Sequence, residues 1–130
     1  MKKSILSLLL LMFSIFCFAQ NVTSDCAKFR TGRFQYIDAS KVVTVKRTKH
    51  VQEELIVNTG AKTRLHIRWV EDCVYDLRQV WTNNKEKRKM NGSVTRVKIT
   101  KTYDNRYDYT CACRDSASIN NNSGTIFIVK

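Results

Sequence analysis

The chain has 130 residues, with 23 lysines and arginines against 11 aspartates and glutamates, a formal charge of +12, five cysteines and no proline. This length makes one small domain rather than several. The positive excess argues against a basic protein partner, which would be repelled.

The chain opens on Met1-Lys2-Lys3, runs through an almost wholly apolar stretch from Ser4 to Phe18, and reaches Ala19-Gln20. A short cationic start, an apolar run and a small residue before the break make a secretory leader, here residues 1–19. Ile5 to Ala19 is too short to span a hydrocarbon core, which needs about 20 residues. Bulky Phe16 before Cys17 and charged Asp25 before Cys26 occupy places where lipidation requires a small residue. Cleavage after Ala19 takes nineteen of the 130 residues and two lysines, leaving a domain over 20–130 with a charge of +10. No second apolar run approaches membrane-spanning length, so the expected product is secreted or periplasmic, with no transmembrane span.

Downstream the pattern is β. Strands are expected at Arg30–Ile37, Lys41–Arg47, Val51–Asn58, Lys62–Val70, Val74–Thr82, Ser93–Tyr103, Tyr107–Cys113 and Thr125–Val129. Leu65, Ile67 and Trp69 alternate with Arg64, His66 and Arg68, and Tyr107, Tyr109, Cys111 and Cys113 with Asp108, Thr110 and Ala112. That is the period-2 signature of half-buried strands, in residue types that strands prefer. Val51–Leu55 would also tolerate a helix. Breaks at Asn58-Thr59-Gly60, Asn83-Asn84, Asn91-Gly92, Asp104-Asn105 and Asn120 to Gly124 supply residues that accept tight turns. About eight short strands joined by hairpins predict an all-β antiparallel meander, closed as a small barrel or open as a half-barrel. Thr125 to Val129, apolar on both faces, reads as a last strand that is paired and covered.

Once the leader is lost, Cys26, Cys73, Cys111 and Cys113 remain, an even number that reads as two disulfides in an exported domain. Cys111 and Cys113, two apart on one strand, point the same way and are poorly placed to bond each other. The pairing favoured is therefore Cys26 and Cys73 each with one of them; Cys26–Cys73 is the alternative. The Cys-Ala-Cys has no second cysteine or histidine pair at zinc spacing, so neither a metal nor another cofactor is expected.

The loudest chemical signal is basic. Lys46-Arg47-Thr48-Lys49-His50 and the run of Lys85, Lys87, Arg88 and Lys89 are clusters, and Arg64, Arg68, Arg96 and Lys98 fall on polar faces of strands that could share one stripe. Such a stripe draws polyanions. A base-stacking surface would also need exposed aromatics among the charges. Phe34, Tyr36, Trp69, Tyr75, Tyr107 and Tyr109 fall instead on the apolar side of their strands, as a candidate interior. His50, Glu53, Glu54, His66 and Arg68 are the residue types of a small secreted nuclease, but the two histidines read as surface positions. No Gly-x-Ser-x-Gly, His-Glu-x-x-His or phosphate-binding glycine loop is present.

The arrangement Cys26-x-x-Phe29-x-x-Gly32-x-Phe34, followed by Trp69-x-x-Asp72-Cys73-x-Tyr75-x-Leu77, resembles a group of small exported bacterial proteins with no established function. Gly32-x-Phe34 before a run of hairpins is also similar to the opening of lipocalin-like and fatty-acid-binding barrels, with Phe34 where those carry tryptophan. The resemblance implies secretion and a compact β domain, and it transfers no catalytic residue. The function expected is non-enzymatic binding of a small apolar ligand or a cell-envelope partner, a ligand-carrier role that fails without an internal or open cavity of ~300 Å³ or more. The alternatives are a surface protein binding an anionic envelope component or other polyanion, and a small hydrolase. Chromosomal nucleic acid is not an expected partner of an exported chain.

Overall fold

The computed structural model describes residues 25–113 and 122–130; the expected leader, Cys17 and the Asn120-Asn121 part of the last break lie outside them. Eight strands follow one another: β1 (Gly32–Asp38), β2 (Lys41–Arg47), β3 (Val51–Ile56), β4 (Ala61–Glu71), β5 (Val74–Thr82), β6 (Val94–Thr102), β7 (Arg106–Cys113) and β8 (Asn122–Ile128). Each pairs antiparallel with its chain neighbour, and β8 returns to β1 through Phe34 opposite Ile128 and Gln35 opposite Phe127. The meander is thus a closed barrel, and Val51 to Leu55 is strand, not helix.

Alternation sets the interior. Phe34, Val43, Val45, Ile67, Tyr75, Leu77, Val97, Ile99, Tyr107 and Ile126 are buried, and Tyr36, Leu65, Trp69 and Tyr109 pack against them. The strand directions define two ends. At one, the chain enters through a 3-10 turn at Ala27–Phe29, whose Phe29 ring is buried against Tyr107 with ring centres 4.8 Å apart. Gly32 follows at φ +130°, a conformation that side chains resist, with the Phe34 ring 3.5 Å from where its Cβ would stand. The other end carries the β1–β2 turn, the β3–β4 turn and a second 3-10 turn at Glu86–Met90.

The cysteine pairing departs from the favoured one: Cys26 bonds Cys73, with Cα atoms 5.4 Å apart. The entry turn lies under the barrel beside the β4–β5 hairpin, which carries Cys73. Cys111 is well up β7, opposite Val97 and Asn122. A disulfide fits an oxidising, non-cytoplasmic environment. Among the described residues no helix is long and apolar enough to cross a membrane.

Two other expectations change. Strand β8 begins at Asn122, so Gly124 sits inside it opposite Tyr109. A Cβ there would lie 2.8 Å from the Tyr109 hydroxyl; the phenol lies across the bare glycine and stands in for its missing side chain. β8 is paired on both edges but not covered, since Phe127 points outward and is 44% exposed. The β1–β2 turn places Ala39 and Ser40 at φ 45° and 69°. A two-residue hairpin needs that geometry whether or not asparagine or glycine is there to supply it.

Candidate functional site

The inward faces of β2 and β3 are not wholly apolar. After Val43 and Val45 the next inward residue of β2 is Arg47, only 2% exposed. The sequence places it in a surface cluster; the alternation already begun by Val43 and Val45 buries it. Its Nε donates to Gln52 Oε1 at 2.8 Å, its Nη1 to the Phe29 carbonyl at 2.8 Å, and its Nη2 to the Tyr75 and Tyr107 hydroxyls, each at 3.2 Å. The guanidinium also lies 4.9 Å from the Phe34 ring centre and 4.8 Å from that of Tyr75. Neutral acceptors and aromatic faces thus compensate a buried cation, and Arg47 ties the entry turn to the barrel wall.

Gln52 passes this network upward. With its carbonyl oxygen committed to Arg47, its Nε2 donates to Glu54 Oε1 at 2.7 Å, while the Tyr36 hydroxyl donates to Glu54 Oε2 at 3.2 Å. Burial pushes the Glu54 carboxyl above its ordinary range, against the opposing pull of those hydrogen bonds and of the Lys87 and Arg47 charges. Burial, and then the Glu54 charge, also raises Tyr36; burial raises Tyr75 and takes Tyr109 up to about 12. The three phenols are neutral donors across the physiological range.

Glu54 borders an interior cavity of about 190 Å³. Leu65, Leu77, Val97 and Ile126 form its apolar wall; Tyr36, Tyr75 and Tyr109 present aromatic surface, and Thr95 and Gln52 add polar groups. Beyond Glu54 on β3 comes Ile56, which lines a rim hollow of about 510 Å³ together with Asp38, Lys41, Asn83 and Lys87. Gln79 holds the Glu86–Met90 turn at this rim, its Nε2 donating to the Lys87 carbonyl at 2.8 Å and to Asn91 Oδ1 at 3.0 Å.

The outer surface differs from a free basic stripe. Arg68 and Arg96 both engage Asp76, at 3.3 Å and 2.8 Å, and Asp76 on β5 between them is only 5% exposed. Arg64 binds Glu53 at 2.9 Å. Lys98 is exposed on β6, and Lys85, Lys87, Arg88 and Lys89 lie exposed on the rim segment. His50, just before β3, and Glu53, His66 and Arg68, on the outer side of β3 and β4, are exposed, while Glu54 faces in, apart from them. Among the described residues no cluster of three or more His, Cys, Asp or Glu could hold a metal ion.

A feature absent from the sequence reading is an outer groove of about 600 Å³ on strands β1 to β5, where Trp81 and Leu55 stand among Arg33, Lys46, Lys62 and Arg64. Trp81 is 48% exposed. Strict alternation from Tyr75 and Leu77 would carry it inward. A bulge intervenes: Leu65 faces Gln79 and Arg64 faces Trp81, so Val80 is the extra residue and Trp81 turns outward.

No family model matches this chain, and neither the curated proteins nor the solved structures contain a match. The class that fold and site define is a closed eight-stranded antiparallel barrel with a disulfide-pinned entry turn, a buried arginine at its base and a carboxylate at its interior cavity.

Proposed function

We propose that this is an exported carrier that holds a small molecule inside the barrel, with no chemistry done upon it. The observation carrying this reading is the interior cavity, walled by aliphatic and aromatic side chains with a few convergent polar groups, the usual make-up of a ligand site. Its 190 Å³ is below what a drug-sized ligand fills, and a fatty acid would not fit. A cavity of ~150 Å³ accepts benzene, so the interior suits one ring with a short substituent. The interior thus falls short of the roughly 300 Å³ expected of a carrier, and the reading is confined to a ligand smaller than the sequence suggests, with a polar end. Export is supported by the leader-like start, and the disulfide agrees with an oxidising compartment.

The test uses benzyl alcohol and benzylamine, two probes of this size. At millimolar concentration at least one is expected to raise the melting temperature by mass action and to move the methyl resonances of Leu65, Leu77, Val97 and Ile126. Thr95→Phe, which fills the cavity from β6, should abolish both effects in a folded protein. If neither probe moves those resonances, the carrier reading fails.

The outer groove favours a second reading, a polyanion-binding surface, because Trp81 supplies an exposed ring among lysines and arginines. Heparin retention should then fall steeply with salt and weaken on Trp81→Ala. Retention unchanged by both would exclude it.

A further inference from the structure

We infer that the interior site selects a small organic cation, a primary amine carrying one aromatic or short apolar group, with its ammonium held by the Glu54 carboxylate and its apolar part packed against Tyr36, Tyr75 and Tyr109. This rests on the carrier reading and adds the charge of the ligand to it.

Three observations carry it. The first is the charge of the cavity wall. In a chain of net charge +12, the cavity is bordered by one acidic side chain, Glu54, and by no lysine or arginine. The nearby cations are otherwise engaged: Arg47 is held by Phe29, Gln52, Tyr75 and Tyr107, and Lys87 belongs to the rim. An anionic ligand would meet a carboxylate with no compensating charge at the wall, and a wholly apolar one would leave that carboxylate dry beside it.

The second is the bonding capacity that remains. Each Glu54 oxygen accepts one hydrogen bond, from Gln52 and from Tyr36, while an ionised carboxylate offers about four lone-pair sites. An ammonium brings three donors and no acceptor, so it complements what Gln52 and Tyr36 leave unused. The charge-assisted bond it makes is roughly twice as strong as a neutral one.

The third is the aromatic lining. Three neutral phenol rings border the same space as the carboxylate, and the negative face of an aromatic ring attracts a desolvated cation. Carboxylate and rings together discriminate by charge; the aliphatic wall of Leu65, Leu77, Val97 and Ile126 discriminates by size.

Facing Glu54 or bordering its cavity are Tyr36 from β1, Arg47 from β2, Tyr75 from β5, Tyr109 and Cys111 from β7, and Lys87 from the rim turn. Burial holds the carboxyl above its ordinary range, and only its ionised form attracts an ammonium. Affinity for the cation should therefore climb with pH as Glu54 deprotonates, whereas affinity for a neutral probe should not.

Benzylamine and benzyl alcohol are nearly isosteric and differ in charge. Titrated into the purified protein near pH 7.5, benzylamine is expected to bind about ten- to a hundred-fold more tightly. Glu54→Gln keeps the size of the side chain and its acceptor for Tyr36; it should erase that preference and flatten the pH profile. Equal or tighter binding of benzyl alcohol by the unaltered protein overturns the cation assignment and leaves the carrier reading intact. So does a preference for benzylamine that survives Glu54→Gln. If neither probe enters the interior, carrier and cation fall together. Should the variant not fold, the unaltered protein decides the matter: a benzylamine preference that does not rise with pH overturns the assignment, and one that does supports it.

Discussion

Replacing Arg47 with alanine should lower folding stability by about 3–5 kcal/mol, read as a drop in the urea midpoint at unchanged slope. The estimate is built from what alanine leaves behind. Tyr75 and Tyr107 keep each other, their hydroxyls 3.0 Å apart. The Phe29 carbonyl and the Gln52 carbonyl oxygen lose the donor each had at 2.8 Å, at about 1–3 kcal/mol per stranded buried group. A void also opens between Phe34 and Tyr75, where the guanidinium had lain against both rings. Against this stands relief from burying a cation, which is large and keeps the net below the sum of the losses.

Methionine at the same position separates these contributions. It fills most of the space and needs no desolvation, but it offers no hydrogen to Phe29 or Gln52. The expected cost is about 1–2 kcal/mol, the stranded acceptors less the relief. Arg47→Met as damaging as Arg47→Ala would make the hydrogen bonds decisive. A change under about 0.5 kcal/mol in both would mean the network fixes the geometry of the entry turn without stabilising the fold.

The residues that resisted sequence reading are those where one local rule yields to another. The eight strands were legible because alternation and turn residues agree along most of the chain, as in Leu65-His66-Ile67-Arg68-Trp69. Arg47 and Glu54 were hidden because charge suggests the surface, although Val43 and Val45 before the one, and Gln52 and Ile56 around the other, set an inward frame. Trp81 was hidden by a bulge, which changes the frame by one residue and leaves no mark in composition. Asn122 to Gly124 read as a turn, yet Gly124 is in the strand because the Tyr109 phenol occupies the room of a side chain. The turn at Ala39-Ser40 has no asparagine or glycine to mark its positive-φ positions; β1 and β2, in register from Gly32 opposite Arg47 to Asp38 opposite Lys41, leave two residues to reverse the chain. The cysteines posed a different problem. Alternation disfavours a bond between neighbours on β7, but it says nothing of where a segment outside the sheet comes to rest, and that segment carries Cys26.

The disulfide should accordingly matter as much as the arginine. Cys26 and Cys73 close a loop of 47 residues, and the loss of chain entropy on cross-linking a loop of that length stabilises the fold by about 4 kcal/mol. For a domain near this size that corresponds to roughly 15–20 °C in melting temperature. Because Cys26 is almost fully buried, a reductant reaches the bond slowly, and Cys26→Ala with Cys73→Ala is the cleaner comparison. The double variant should keep the barrel, since the strand pairs do not pass through either sulfur. Its entry turn would still be held by the Phe29 ring on Tyr107, the Arg47 bond to the Phe29 carbonyl, and Arg30 lying over the Trp69 ring and beside Asp72. Adding Arg47→Met should then cost more than it does in the cross-linked protein, because two restraints on one segment do not act independently. A double cysteine variant that melts within a few degrees of the parent would show that the turn is seated without the cross-link.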